Sequence, residues 1–304
     1  MEKIYDMIIV GGGPGGYTAA LYGARAGLDV LIIERLSAGG QMNLTGQIDN
    51  YPGFPEGVDG FQLSYNMQQQ AERFGAKTKY AEVLELQLEG EEKSVRTNEG
   101  TYLAKTVVIS TGANPRQLGV ERENEMIGRG VGYCAHCDGG FYRGKRVVVV
   151  GGGNSAVAEA LYLSRIAREV ILVHRRDTLR ATQIYLKPLQ EASNIRILWD
   201  SEVAELLGDE VLSEVKIRNL KTGEEQLLEV QGLFVSIGRK PATDLVKDQL
   251  TLDGAGYIMA GEDTKTNIPG VYAVGDVRTK ELRQIVTAVA DGAMAAHVAE
   301  QFLA

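Results

Sequence analysis

Residues 5–35 read YDMIIVGGGPGGYTAALYGARAGLDVLIIER. The run Met7–Val10 is short, continuous and rich in β-branched residues, the pattern of a strand buried on both faces of a parallel sheet. After the glycines, small and apolar residues recur at helical spacing, and Val30–Ile33 repeats the strand pattern. Strand, glycine turn, helix and strand in that order form a βαβ unit. Its turn carries Gly11-x-Gly13-x-x-Gly16. In such a turn the first glycine permits the sharp bend and the second leaves room for a pyrophosphate. The third lets helix and strand pack closely, and the helix N-terminus offers free N–H groups and its positive dipole end.

The same arrangement returns once. Residues 145–175, KRVVVVGGGNSAVAEALYLSRIAREVILVHR, repeat the order 140 residues later, with Gly151, Gly153 and Ala156 in the places of Gly11, Gly13 and Gly16. Each copy also has an Ala-Leu-Tyr segment, at Ala20–Tyr22 and Ala160–Tyr162. That period is too long for a solenoid and has the size of a domain, so the chain reads as two dinucleotide-binding folds. One glycine motif alone is weak evidence, because a tight turn can bind nothing. Two, each between strand and helix, are much stronger.

The ends of the second strands distinguish the ligands. Glu34 closes the first copy, where a carboxylate accepts ribose hydroxyls and repels a 2′-phosphate. The second copy ends in His174-Arg175-Arg176, with Arg180 following, and guanidinium groups bind a 2′-phosphate by bidentate, charge-assisted hydrogen bonds. The first fold is therefore expected to hold FAD and the second NADPH. Near the C-terminus, Asn267–Asp276 reads as a strand ending in Gly275-Asp276, able to present an aspartate and backbone N–H groups to a ribityl chain.

Composition narrows the field. With 304 residues, two domains are expected. The net charge is −8, which argues against nucleic acid as a partner. No strictly apolar run exceeds four residues, far short of a membrane span, and the opening MEKIYDMIIV lacks the pattern of a secretory signal, so a cytoplasmic protein is expected. Glycine is abundant at 37 residues against 7 prolines, and clusters beside apolar runs as phosphate-binding turns require.

The two cysteines, Cys134 and Cys137, lie in the segment Cys-Ala-His-Cys. A CxxC is either half of a metal site or a redox dithiol. With no further cysteine and only three histidines, a metal site is a poor fit, and no metal is expected. A dithiol between two nucleotide folds is suited to exchange electrons with a flavin. Asp138 follows directly and can serve as proton donor or acceptor. His136, if cationic, would favour a thiolate and make the disulfide more oxidising; otherwise it is a spacer.

Taken together, these motifs, with Gly39-Gly40-Gln41, Asn50-Tyr51-Pro52-Gly53, Ser110-Thr111-Gly112 and Arg283-Gln284-Ile285, resemble those of the low-molecular-weight, bacterial-type thioredoxin reductases almost end to end. The resemblance implies an α/β fold of two three-layer, Rossmann-like domains. A FAD domain at residues 1–114 and 241–304 is split by an inserted NADPH domain at 115–240 that carries the CxxC. It implies a homodimer, with hinges near Pro115 and Pro241. It places Gly11, Gly13, Pro14, Gly15, Gly16, Glu34, Gly40, Gln41, Asn50, Val83, Thr111, Gly112, Gly275, Asp276, Arg283, Gln284 and Ile285 against FAD. Against NADPH it places Gly151, Gly153, Asn154, Ser155, Ala156, His174, Arg175, Arg176, Arg180, Ile237 and Gly238. In the implied relay, electrons pass from NADPH through FAD to the Cys134–Cys137 disulfide and then to the disulfide of thioredoxin. Cys137 faces the flavin, Cys134 attacks the client, and Asp138 is the acid. A ferredoxin-dependent flavin thioredoxin reductase, which makes no use of NADPH, is the alternative; the three arginines speak against it. His136 departs from the Thr or Val common in such proteins, and Ala38 from a frequent lysine.

Overall fold

The computed structural model describes residues 3–44 and 47–304. The chain divides into two compact units, one of residues 1–114 and 240–304, the other of residues 115–239.

The first unit begins with β1 (Ile4–Val10), α1 (Pro14–Arg25) and β2 (Val30–Glu34), and continues through α2 (Gly60–Arg73) and β3 (Lys77–Tyr80). A meander of β4 (Val83–Gln87), β5 (Lys93–Thr97) and β6 (Gly100–Ile109) follows. The sheet order is β3-β2-β1-β6-β5-β4. β1 lies parallel to both β2 and β6, while β5 is antiparallel to β6. Alternate residues of β1 and β2 supply two separate cores, as the twofold side-chain period of a strand dictates. Met7, Ile9, Val30 and Ile32 pack beneath α1, whereas Ile8, Val10, Leu31 and Ile33 pack against Leu86, Val95, Val246 and Leu250 on the other side. Met7, Ile8 and Ile9 are wholly buried, and each such side chain contributes about 1.5–3 kcal/mol.

Strand β7 (Ala113–Pro115) leads into the second unit. There α3 (Glu123–Met126), β8 (Val131–Gly132) and the single turn α4 (Ala135–Asp138) precede β9 (Arg146–Val150), α5 (Asn154–Ser164) and β10 (Glu169–Val173). Helix α6 (Gln183–Glu191), β11 (Ile195–Leu198), the antiparallel trio β12 (Ser201–Leu207), β13 (Glu214–Asn219) and β14 (Glu225–Glu229), and β15 (Gly232–Val235) complete it. The parallel sheet runs β11-β10-β9-β15-β8. Val147, Val149, Val170 and Leu172 face α5, while Val148, Val150, Ile171 and Val173 face Val203, Leu206, Val215 and Ile217 of the antiparallel trio. Helix, parallel sheet and antiparallel sheet are thus three layers, the α/β architecture expected for each copy of the repeat.

Strand β16 (Arg239–Pro241) pairs with β7, so the two crossing segments run side by side. The chain then adds β17 (Val271–Ala273), parallel to the end of β6, and α7 (Ile285–Leu303). The expected strand at residues 267–276 is shorter than anticipated: regular pairing ends at Ala273, and Gly275–Val277 winds into a 3₁₀ turn. Among the described residues no helix is long and apolar enough to cross a membrane.

Helix α7 approaches α1 at Gly292, where an added Cβ would stand 2.2 Å from the Gly15 carbonyl oxygen. Replacing Gly292 with Ala improves helix propensity by about 1 kcal/mol. A clash with backbone has no rotamer to relieve it, and overpacking costs typically ~1–3 kcal/mol. The clash outweighs the propensity, so Gly292→Ala is expected to lower the urea unfolding midpoint; an unchanged or raised midpoint would show that α7 shifts freely.

Candidate active site

Each glycine of the first turn answers a different steric demand. Gly11 has φ +102°, and a Cβ there would meet the Ser110 carbonyl oxygen at 2.4 Å. At Gly16 a Cβ would lie 2.1 Å from the Gly11 carbonyl oxygen. At Gly13 it would meet nothing within 4 Å, so this residue leaves open space over the turn. Gly13 caps α1 in extended conformation with no side-chain hydrogen bond, and Pro14 opens the helix without needing a donor. Open space beside uncapped helix N–H groups fits a pyrophosphate.

Glu34 reaches back to this turn: the Gly12 N–H donates to its Oε2 at 2.7 Å and the Leu36 N–H to its Oε1 at 3.1 Å. The Gly39 N–H bonds the Gly12 carbonyl at 2.7 Å, which sets Gly40 above Gly13. Val83, half-buried, opens β4. The remaining expected contacts come from distant parts of the chain. Gln41 donates to the Ala113 carbonyl, and the Thr111 hydroxyl to the Ala242 carbonyl at 2.7 Å. The Gly112 carbonyl accepts the Ala242 N–H at 3.0 Å. Asn50 donates to Gln284 Oε1 at 3.0 Å, and Gln284 forms a reciprocal capping box with Thr287 at the start of α7. Ile285, the first residue of that helix, packs on Met42, Ile48 and Leu63. The Arg283 guanidinium donates to the carbonyls of Asp276, Arg278 and Lys280 and lies 4.0 Å over the Tyr257 ring.

One feature of this unit gives no signal in the sequence. Asp291 on α7 is buried, accepts the Gly275 N–H at 2.8 Å and the Lys280 ammonium at 2.6 Å, and has Arg278 Nε at 3.5 Å. It ties the Gly275-Asp276 turn to α7.

The second turn repeats the steric logic. Gly151, at φ +149°, would bring a Cβ to 2.3 Å from the Ser236 carbonyl oxygen, Gly153 faces open space, and Ala156 is fully buried. Asn154 accepts the Thr182 N–H at 2.8 Å, and Ser155 is exposed. Arg175, Arg176 and Arg180 are exposed, and the Arg180 N–H donates to the Gly152 carbonyl at 2.7 Å. His174 differs from the expected basic group. It is buried, its Nε2 bonds the Thr178 carbonyl at 2.9 Å, and a Cβ on Gly152 would collide with its ring at 2.2 Å. Burial, and then the three arginines, lower its pKa, so at neutral pH it shapes the turn as an uncharged ring. Ile237 is partly exposed, and Gly238, at φ +103°, accepts the Arg116 N–H at 3.0 Å.

Cys134 and Cys137 are joined in a disulfide, with Cα atoms 5.3 Å apart. Cys134 caps α4, and its carbonyl accepts the N–H groups of Cys137 and Asp138, each at 3.1 Å. Burial raises the Asp138 carboxyl from the ordinary 3.8 to about 6, within reach of proton exchange near neutrality. Gly132 makes room for it, because a Cβ there would stand 3.2 Å from Asp138 Oδ2. His136 stacks on Tyr162 of α5 with ring centroids 4.4 Å apart, and burial lowers its pKa. That shift disfavours the cationic form on which the thiolate-stabilising reading depends. Gly139 admits the Tyr162 ring, which a Cβ would meet at 2.8 Å. No metal-binding cluster occurs among the described residues.

A carboxyl whose folded pKa is raised favours the folded state most below about 3.8 and loses that contribution as pH climbs through about 6. Asp138→Asn removes this loss. The urea midpoint of the variant relative to the parent is expected to rise between about pH 4 and pH 8. A difference that stays constant with pH would mean the carboxyl does not titrate there.

The family profile described as pyridine nucleotide-disulphide oxidoreductase matches residues 5–292. A thioredoxin reductase of Streptomyces coelicolor is 46% identical over 307 aligned positions, covering 100% of this chain and 95% of that protein. Another, from Peptoclostridium acidaminophilum, is 43% identical over 309 positions, covering 100% and 98%. The crystal structure of thioredoxin reductase from Streptococcus pyogenes matches with a TM-score of 0.92 at 44% identity, covering 100% and 99% of the two chains. Likeness over the whole length carries with it the use of a flavin and a pyridine nucleotide. With twin nucleotide turns and a disulfide beside an enclosed carboxyl, the chain belongs to the pyridine nucleotide-disulphide oxidoreductase family and, within it, to the thioredoxin reductases.

Proposed function

We propose that this chain is an NADPH-dependent thioredoxin-disulfide reductase that carries FAD on its first unit, receives NADPH on its second, and works as a cytoplasmic homodimer. The observation that bears most weight is the Cys134–Cys137 disulfide, half-buried beside a carboxyl that titrates at about 6, on the same unit as the second glycine turn. When bound, the nicotinamide and the flavin supply the hydride chemistry that delivers two electrons to this disulfide.

The side chains do the rest. Reduction opens the sulfur–sulfur bond into two thiols, one of them ionised. The Cys134 thiolate attacks one sulfur of the thioredoxin disulfide, forming a mixed disulfide and releasing a client thiolate, which Asp138 or solvent protonates. Cys137 then attacks Cys134, which restores the internal disulfide and frees the second client thiol. The adjoining strands β7 and β16, at the expected hinges near Pro115 and Pro241, suit a rotation that alternates access to the disulfide. Arg175, Arg176 and Arg180 favour NADPH over NADH, and for that reason favour this reading over the ferredoxin-dependent one.

Cys134→Ser is expected to abolish thioredoxin reduction while NADPH still bleaches the flavin; continued turnover would overturn the assignment. Removing both Arg175 and Arg176 by alanine should raise the KM for NADPH roughly tenfold to hundredfold, since hydrogen bonds to a charged partner are worth about 1.5–3 kcal/mol. The KM for NADH should stay within about twofold, because NADH has no 2′-phosphate. Equal losses with both nucleotides would place the arginines elsewhere.

A further inference from the structure

A single residue joins the parallel sheet of the second unit to Cys134. The pairing of β8 with β15 ends at Gly132, and Cys134 stands extended, at φ −150° and ψ 99°, as the cap before α4. Cys137, by contrast, lies within α4. Only Tyr133 separates the last paired residue from the first sulfur. Its hydroxyl donates to Glu123 Oε1 at 2.7 Å. Glu123 is only 2% exposed, and the N–H groups of Leu118 and Gly119 donate to its Oε1 and Oε2 at 2.9 and 2.8 Å. Arg122, just before it, has φ +64°, a left-handed conformation that a residue with a side chain keeps only where its surroundings enforce it. The Arg122 guanidinium supplies that hold by donating to the carbonyls of Gly208 and Asp209 at 2.7 and 2.9 Å. The reaction above uses neither Tyr133 nor Glu123.

We propose that Tyr133 and Glu123 are positioning residues for the redox pair: the buried carboxylate anchors the Tyr133 hydroxyl, and this anchor keeps Cys134 where its sulfur can close on that of Cys137. This rests on the reductase reading above. A hydrogen bond to a carboxylate is shorter and stronger than one between neutral groups. A carboxylate shut away from water also resists losing a donor, because the oxygen left behind has no solvent to turn to. The anchor on the N-terminal side of Cys134 is therefore stiff. On the other side, the Cys134 carbonyl accepts the N–H groups of Cys137 and Asp138, each at 3.1 Å. When two electrons and two protons open the disulfide, no covalent bond joins the thiols. Their tendency to close again then rises with the effective concentration of one sulfur at the other. Without the anchor, the open pair gains freedom that the closed ring cannot use, so the balance moves toward the dithiol.

The test equilibrates the flavin-loaded protein with mixtures of reduced and oxidised glutathione at neutral pH. In this exchange two glutathione thiols are oxidised to one glutathione disulfide as the Cys134–Cys137 bond opens into two thiols. Acid quenching, alkylation and mass spectrometry then count the open and closed forms. Tyr133→Phe keeps the ring and removes the hydroxyl; it should move the equilibrium toward the dithiol about threefold to tenfold, the range of one net hydrogen bond. Glu123→Gln should move it the same way. Because the two residues act through their shared bond, the double variant should match Glu123→Gln. A Tyr133→Phe equilibrium equal to that of the parent, or displaced toward the disulfide, would overturn the inference. So would a double variant whose shift is the product of the single ones. If Glu123→Gln does not fold, Tyr133→Phe decides alone. Neither NADPH nor thioredoxin enters this equilibrium, so a failure of NADPH to drive thioredoxin reduction would count against the reductase reading and leave this measurement standing.

Discussion

Both nucleotide turns depend on one steric constraint: backbone meets backbone where a buried strand bends into a helix. A Cβ at Gly16 would stand 2.1 Å from the Gly11 carbonyl oxygen, and one at Gly151 would stand 2.3 Å from that of Ser236. Only residues without that atom let the chain turn within the sheet's edge and begin a helix at once. The apolar strands supply the driving force, since their alternate residues fill two cores per unit. The glycines decide where the helix starts, and so where its free N–H groups point. Everything that gathers at the first turn, from Glu34 to the Gln284 cap of α7, assumes that placement.

The redox turn is built by a different balance. A CxxC segment is too short to bury anything by itself, so α5 and β8 define its surroundings. Gly132 and Gly139 clear space for the Asp138 carboxyl and for the Tyr162 ring. Tyr162 in turn stacks on His136, whose pKa burial lowers. Two carboxyls with raised pKa values, Asp138 and Glu159, then belong to the same unit as the disulfide. Desolvation is the leading cause in each case, so the redox chemistry runs in surroundings where protons are exchanged near neutral pH.

The two turns diverge where their second strands end. In the first, a carboxylate closes on the Gly12 N–H. In the second, a buried imidazole packs against Gly152 and three arginines beyond it are exposed. The histidine and the arginines are neighbours in sequence but have separate surroundings, one internal and the others exposed.

The strands, the two glycine turns, the repeat and the redox pair were legible in the sequence, because period-two hydrophobicity and fixed glycine spacing are local signals that survive without a fold. Glu34 and the arginines were legible too, since their positions follow from strand length alone. The surroundings of each polar side chain were not. That burial lowers the pKa of His136, that His174 is buried, that Asp291 braces Gly275 and that Glu159 is enclosed all depend on which distant segments come together. Burial and field are properties of those assembled neighbours, so the tertiary structure alone decided which of these groups carry charge at neutral pH.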